Sequence, residues 1–150
     1  MVHSPPSHSI TEAQDDIVRA FGALAEDRES MLHYLMELGE KMPPLGSQYK
    51  THQNLIRGCV SSVWLVHQWV DGRIFFQADS NTAITKGLIS LLLRILSGQK
   101  ASDILTAQLY FVESMQLSQL LGAQRSSGLA SMIQKLKQIA ALEGASISLS

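Results

Sequence analysis

Apolar positions recur at helical spacing in the first quarter of the chain, where Ile17, Val18, Phe21 and Leu24 share one face. Thr11 supplies a cap to which Gln14 can reach back in a capping box, so a first helix is predicted near residues 12–24. Asp27 caps a second helix whose stripe is Met31, Leu32, Leu35, Met36 and Leu38, ended by Pro43 and Pro44. The pattern then changes. Polar residues with Gly and Pro occupy 45–52, after which Leu55-Ile56 and Ser62 to Val70 turn apolar and β-branched. Asp71-Gly72 is a two-residue hairpin signal that joins Val63–Val70 to Arg73–Ala78 as antiparallel neighbours. Three short strands are therefore expected around residues 57–61.

Asp79, Ser80 and Asn81 offer cap chemistry for a helix from about Thr82 to Leu96, stopped by Gly98 in a left-handed conformation. That helix is apolar nearly all round and should lie against the sheet. Ser102 or Asp103 opens a short element, and Leu109 to Leu121 forms a further helix. Ser126 or Ser127 caps a last one with Leu129, Met132, Ile133, Leu136, Ile139 and Ala140 on one face. Two helices, a small antiparallel three-stranded sheet and about three helices give an α+β sandwich, unlike a parallel nucleotide-binding fold.

Composition narrows the class. A chain of 150 residues is one domain's worth, and 45% hydrophobic with 17% charged residues is ordinary for a globular protein. The expectation is a disordered leader at 1–10 and a single domain at 11–150. A net charge of -1 argues against nucleic acid as a partner. Charge is unevenly spread: residues 1–50 hold eight Asp/Glu against four Lys/Arg, and residues 51–150 hold five against eight. The start lacks a signal-peptide pattern, and the most apolar run, Leu88 to Leu96, is about half a bilayer span. A single cysteine admits no internal disulfide. A reducing cytoplasm without membrane attachment fits best.

Candidate chemistry centres on Cys59. Gly58 permits a sharp turn there, Arg57 favours a thiolate, and Ser61 and Ser62 follow, so the thiol reads as presented rather than buried. Histidines at 3, 8, 33, 52 and 67 show no metal-ligand spacing, and neither a phosphate loop nor a serine-hydrolase elbow occurs. The residues alone leave three readings of Cys59: an inert small residue, a reactive thiol, or a hydrolase or redox nucleophile with His52 or His67 as base and Asn54 or Asp79 orienting it.

Four blocks resemble the SufE family of sulfur acceptors. Gly58-Cys59-Val60-Ser61-Ser62-Val63-Trp64 is similar to its Gly-Cys-x-Ser-x-Val-Trp signature. Asp79 to Leu88 is similar to its Asp-Ser-Asp-x-x-Ile-x-Lys-Gly-Leu block, Arg125-Ser126-Ser127-Gly128-Leu129 to the opening of its last helix, and Glu37-Leu38-Gly39 with Pro43 to its early motif. The chain departs from the family at Val60 and Ser62, where glutamine is usual, and at Asn81, where aspartate is usual.

The resemblance implies a SufE-like fold akin to the IscU-like scaffolds and a protein that is not itself an enzyme. Cys59 would accept persulfide sulfur from a cysteine desulfurase of the SufS or CsdA kind, stimulate it, and pass sulfur to an iron-sulfur scaffold complex of the SufBCD kind. Arg57, Gly58, Ser61, Asp79 and Arg125 would support the loop. No metal or cofactor is implied for this chain, pyridoxal phosphate belonging to the partner.

Overall fold

The computed structural model describes residues 4–148 and is α+β. Helix α1 spans Ile10–Gly22 and α2 Arg28–Glu40, followed by single 3-10 turns at Ser47–Tyr49 and His52–Asn54. Strands β1 (Val63–Val70) and β2 (Arg73–Ser80) form the hairpin, with α3 at Ala83–Leu96 and a two-residue β3 at Gln99–Lys100. Helices α4 (Ala101–Thr106), α5 (Phe111–Ser114), α6 (Leu117–Leu121) and α7 (Ala123–Ser148) complete the described chain.

The hairpin forms as its sequence dictates. Asp71 and Gly72 both take positive φ, 51° and 79°, the twist a two-residue turn needs between right-handed strands. Val63 pairs with Ser80 and Val70 with Arg73. The third strand is not the expected Leu55-Ile56, which makes one bridge, Leu55 to Trp64, on the outer side of β1. It is Gln99–Lys100, antiparallel to Arg73 and Ile74, so the sheet order is β1-β2-β3. Left-handed Gly98, φ 82°, turns the chain from α3 into that strand.

Helix α3 is the spine of the core. Leu88, Ile89, Leu91, Leu92, Ile95 and Leu96 are each at most 1% exposed, and such burial stabilises by roughly 1.5–3 kcal/mol per side chain. Its crossing with α2 is close enough to demand two glycines. A Cβ on Gly87 would stand 2.2 Å from the Leu35 carbonyl oxygen, and one on Gly39 would stand 2.7 Å from the Gly87 nitrogen.

Three helix boundaries differ from the sequence expectation, each for a local reason. Ser9 rather than Thr11 caps α1, accepting from Glu12 N–H while the Glu12 carboxylate accepts from Ser9 N–H. Gln14, expected to reach back to that cap, is 1% exposed and ties distant chain instead: its amide donates to the Gln108 carbonyl and accepts from Phe111 N–H. The predicted 109–121 helix is broken into α5 and α6 at Gln116, whose φ of 52° is left-handed. The last helix starts at Ala123, so Ser126 and Ser127 lie inside it rather than before it.

Of the expected leader, residues 1–3 lie outside the described residues, while Ser9 is the α1 cap and the His8 carbonyl accepts from the Gln99 side chain. Among the described residues no helix is long and apolar enough to cross a membrane.

Candidate functional site

Cys59 sits at the tip of the segment that leads into β1, and both feet of this loop are clamped. On the near side Ile56 N–H donates to the Val63 carbonyl at 2.9 Å. On the far side Ser62 N–H donates to the Asn81 side chain at 2.9 Å, and the Ser62 carbonyl accepts from Asn81 N–H and from the Ser80 hydroxyl. Ser61 Oγ accepts from Thr82 at 2.8 Å and from Thr85 at 3.3 Å, which pins the residue two after the cysteine to the start of α3. Within the clamps Gly58 has φ 93°, a conformation a side chain rarely adopts. A Cβ there would also stand 2.3 Å from Ser131 Oγ on α7.

The thiol is half-buried rather than presented, and it faces α7. Its Sγ donates to the Gly128 carbonyl at 3.5 Å. A cavity of about 190 Å³ opens beside it, walled by Ser61 and Thr85 on one side and by Gln124, Arg125, Gly128 and Met132 of α7 on the other. Gly128 faces the sulfur at ordinary packing distance: a Cβ at that position would lie 3.6 Å from it. Burial pushes the Cys59 thiol above its ordinary pKa, so at neutral pH the resting group is the thiol that donates to Gly128. Its neighbour Val60 is 82% exposed, an apolar side chain uncovered at the tip.

The predicted supporting residues fall into three places. Arg125 lines the thiol's cavity from the first turn of α7. Arg57 lines a separate groove, together with Lys135 and Ser131. Asp79, expected as a helix cap, is not one, since Thr82 takes that position, without a side-chain bond to the helix's own backbone. Its carboxylate instead meets Lys50 at 3.0 Å and Lys86 at 3.3 Å and accepts from Ser80 N–H at 2.8 Å. Burial pushes that carboxyl up, but the Lys50 ammonium, Ser80 N–H and Lys86 outweigh it and hold the pKa below the usual aspartate value. Asp79 thus fastens the 3-10 region to β2 and α3, and Lys50 also lies 5.6 Å from the centre of the Trp64 ring.

Neither candidate base reaches the cysteine. His67 on β1 has its Nε2 3.1 Å from Glu143 of α7, and His52 lines the Arg57 groove; neither borders the thiol's cavity. Asn54 donates to the Tyr49 carbonyl rather than orienting a histidine. Lys50, Thr85 and Gln124 are site residues the sequence did not single out. Lys50 carries no local signal at all, whereas Thr85 lies within the Asp79–Leu88 block and Gln124 adjoins the Arg125 motif.

The profile of the SufE Fe-S metabolism associated domain matches residues 15–140. SufE-like protein 1, chloroplastic/mitochondrial, of Arabidopsis thaliana is 36% identical over 134 residues, covering 89% of this chain but 36% of its own length. This chain therefore spans about a third of that relative. Uncharacterized SufE-like proteins of Rhizobium etli and Rhizobium meliloti are 35% and 34% identical, covering 87% and 82% of this chain and 91% of each relative. A solution structure of a hypothetical protein from Thermus thermophilus superposes with a TM-score of 0.70 at 17% identity, over 86% of this chain and 93% of that one. With a half-buried cysteine in the signature loop and the profile match running through most of the chain, this protein belongs to the SufE family.

Proposed function

We propose that the protein is an accessory sulfur carrier: Cys59 takes sulfur from a persulfide on a cysteine desulfurase, stimulates that enzyme, and hands the sulfur on to iron-sulfur assembly. The single observation that carries the reading is Cys59 itself, held in a clamped loop beside an α7 cavity that has room for another atom. Family membership supports the same chemistry.

Transfer begins when Cys59, its thiol proton released to water as the tip swings out of its half-buried position, attacks the outer sulfur of the donor persulfide as thiolate. A new S–S bond forms on Cys59 as the donor's S–S bond breaks, and the donor cysteine leaves as thiolate. The sulfane sulfur changes owner without a net oxidant or reductant. Gly58 supplies the bend about which the tip can swing outward for attack and back afterwards, while the Ser61 and Ser62 clamps keep its far foot fixed. Turned inward, the terminal sulfur would occupy the cavity between Thr85 and Arg125, away from bulk water. The lone thiol fits the reducing cytoplasm in which such transfer operates.

Intact-protein mass before and after incubation with a cysteine desulfurase and cysteine tests this. A gain of about 32 Da, one sulfur atom, reversed by dithiothreitol and absent in Cys59→Ser, is expected. Equal loading of Cys59→Ser would refute the assignment.

A further inference from the structure

The thiol's cavity has a neighbour that the transfer chemistry does not use. Between the His52–Asn54 turn and the outer face of α7 runs a groove of about 480 Å³, lined by Leu55 and Ile56, three glutamines, His52, Arg57 and Lys135. Ser131 joins the two sites, since it lines this groove and also abuts Gly58 at the base of the reactive loop. No Asp or Glu lines either site. Arg57 and Lys135 are exposed, and neither side chain makes a hydrogen bond or ion pair among the described residues. This contrasts with Lys50 and Lys86, bound to Asp79, and with Lys137, whose ammonium is bound to the Leu105 and Ala107 carbonyls.

Two uncompensated cations among polar side chains, with no carboxylate in the lining, form a surface with one sign of charge. Such a surface selects its complement and steers it on approach. We propose that this groove docks an acidic, extended segment of the sulfur donor, pairing carboxylates with Arg57 and Lys135 and so presenting the donor's persulfide to the Cys59 tip. The inference rests on the sulfur-acceptor reading above and adds the chemistry of the partner's contact. Arg57 and Lys135 are then positioning residues, acting on the encounter and not on the reacting sulfurs.

The test measures loading of Cys59 against concentration of this protein, with desulfurase and cysteine held constant, for wild type, Lys135→Glu, Arg57→Glu/Lys135→Glu and Lys135→Arg. Loading is normalised to each variant's own rate with a small persulfide donor, and folding is checked by thermal unfolding. The expected result is a half-saturating concentration raised roughly tenfold or more in the double variant and less in Lys135→Glu, with the maximal rate kept and Lys135→Arg close to wild type. Raising sodium chloride from about 50 to 300 mM should weaken wild type more than the double variant, since the screened attraction is already gone from the latter.

A change of less than about twofold in the double variant, while wild type loads normally, overturns the docking proposal and leaves the acceptor reading standing. A variant effect that appears only when sulfate replaces chloride would mean that the groove holds a small anion, which also overturns it. Failure of wild type to load from a turning-over desulfurase would overturn both readings together.

Discussion

Asp79→Asn isolates the ion-pair hub beneath the reactive loop. The substitution keeps the shape and an oxygen that can accept from Ser80 N–H, but removes the charge facing Lys50 at 3.0 Å and Lys86 at 3.3 Å. At an effective dielectric near 20, each contact is worth roughly 5 kcal/mol of attraction, most of which is offset by desolvation. Losing one partner of a fully buried pair costs about 3–5 kcal/mol, but here the lysine side chains are 35% and 26% exposed and regain water. A loss of about 2 kcal/mol follows, or a fall in Tm of roughly 4–8 °C for a chain this size.

The pH dependence gives the sharper test. The folded-state pKa of Asp79 is lowered, so its stabilisation is complete above the unfolded value of about 4 and drains away as pH falls through the native value. Urea unfolding of wild type and Asp79→Asn at neutral pH and near pH 3 should show the two curves converging in acid, because every other carboxylate titrates in both proteins. A difference below about 0.5 kcal/mol at pH 7, or one unchanged in acid, would refute the argument.

Three further outcomes follow from the loop and its thiol. Gly58→Ala places a side chain at φ 93° and against Ser131 Oγ, and should destabilise by about 1–3 kcal/mol in urea unfolding; adding Ser131→Ala should recover the steric share only, and a neutral Gly58→Ala would contradict the strain. Because burial raises the Cys59 pKa, native alkylation by iodoacetamide should be slow at pH 7 and climb past the ordinary thiol range of about 8.5, and urea should accelerate it at fixed pH; a native rate equal to the unfolded one would refute the half-buried thiol. The same raised pKa means that the native state holds the thiol proton more tightly than the unfolded chain, so stability is whole below the unfolded value and falls as pH rises through the native one. Cys59→Ser should lack that share of the alkaline loss in urea unfolding, and an identical alkaline profile in the two proteins would contradict the shift.

The parts of the fold that were legible are those in which a few neighbouring residues decide the outcome. Asp71-Gly72 closes a hairpin on its own conformational preferences, Asp27 caps α2 by accepting from Ser30 N–H, and the apolar α3 goes inside. The misread parts depend on distant chain. Ser9/Glu12 and Thr11/Gln14 are overlapping capping boxes of equal local merit, and what settles the choice is that Gln14 is needed 97 positions away at Phe111. Strand β3 is two residues long and has no alternation to detect, since its existence depends on Arg73 and Ile74 being there to pair.

The site divides in the same way. Cys59, Gly58 and Arg125 stand out because unusual residue types occupy the loop and the motif blocks. The Asp79 hub escaped because aspartate before a helix reads as a cap, and Lys50 lies in a polar stretch with nothing to mark it. The expected thiolate-stabilising Arg57 stands two residues before the cysteine, yet its side chain lines the other groove, a matter of backbone direction at Gly58 that spacing does not convey.

The cover of the thiol is made late. Cys59 and the Gly128 carbonyl that accepts from it are 69 positions apart, and Gln124, Arg125 and Met132, which complete the cavity, all belong to α7. At about 5–20 residues per second, a ribosome takes roughly 4–14 s to pass from the cysteine to its cover. During that interval the nascent chain has a loop but no wall, so oxidants and alkylating agents meet an ordinary cysteine. Damage at Cys59 would therefore accumulate faster during synthesis than in the finished fold, and any chain arrested before α7 would carry an unguarded thiol.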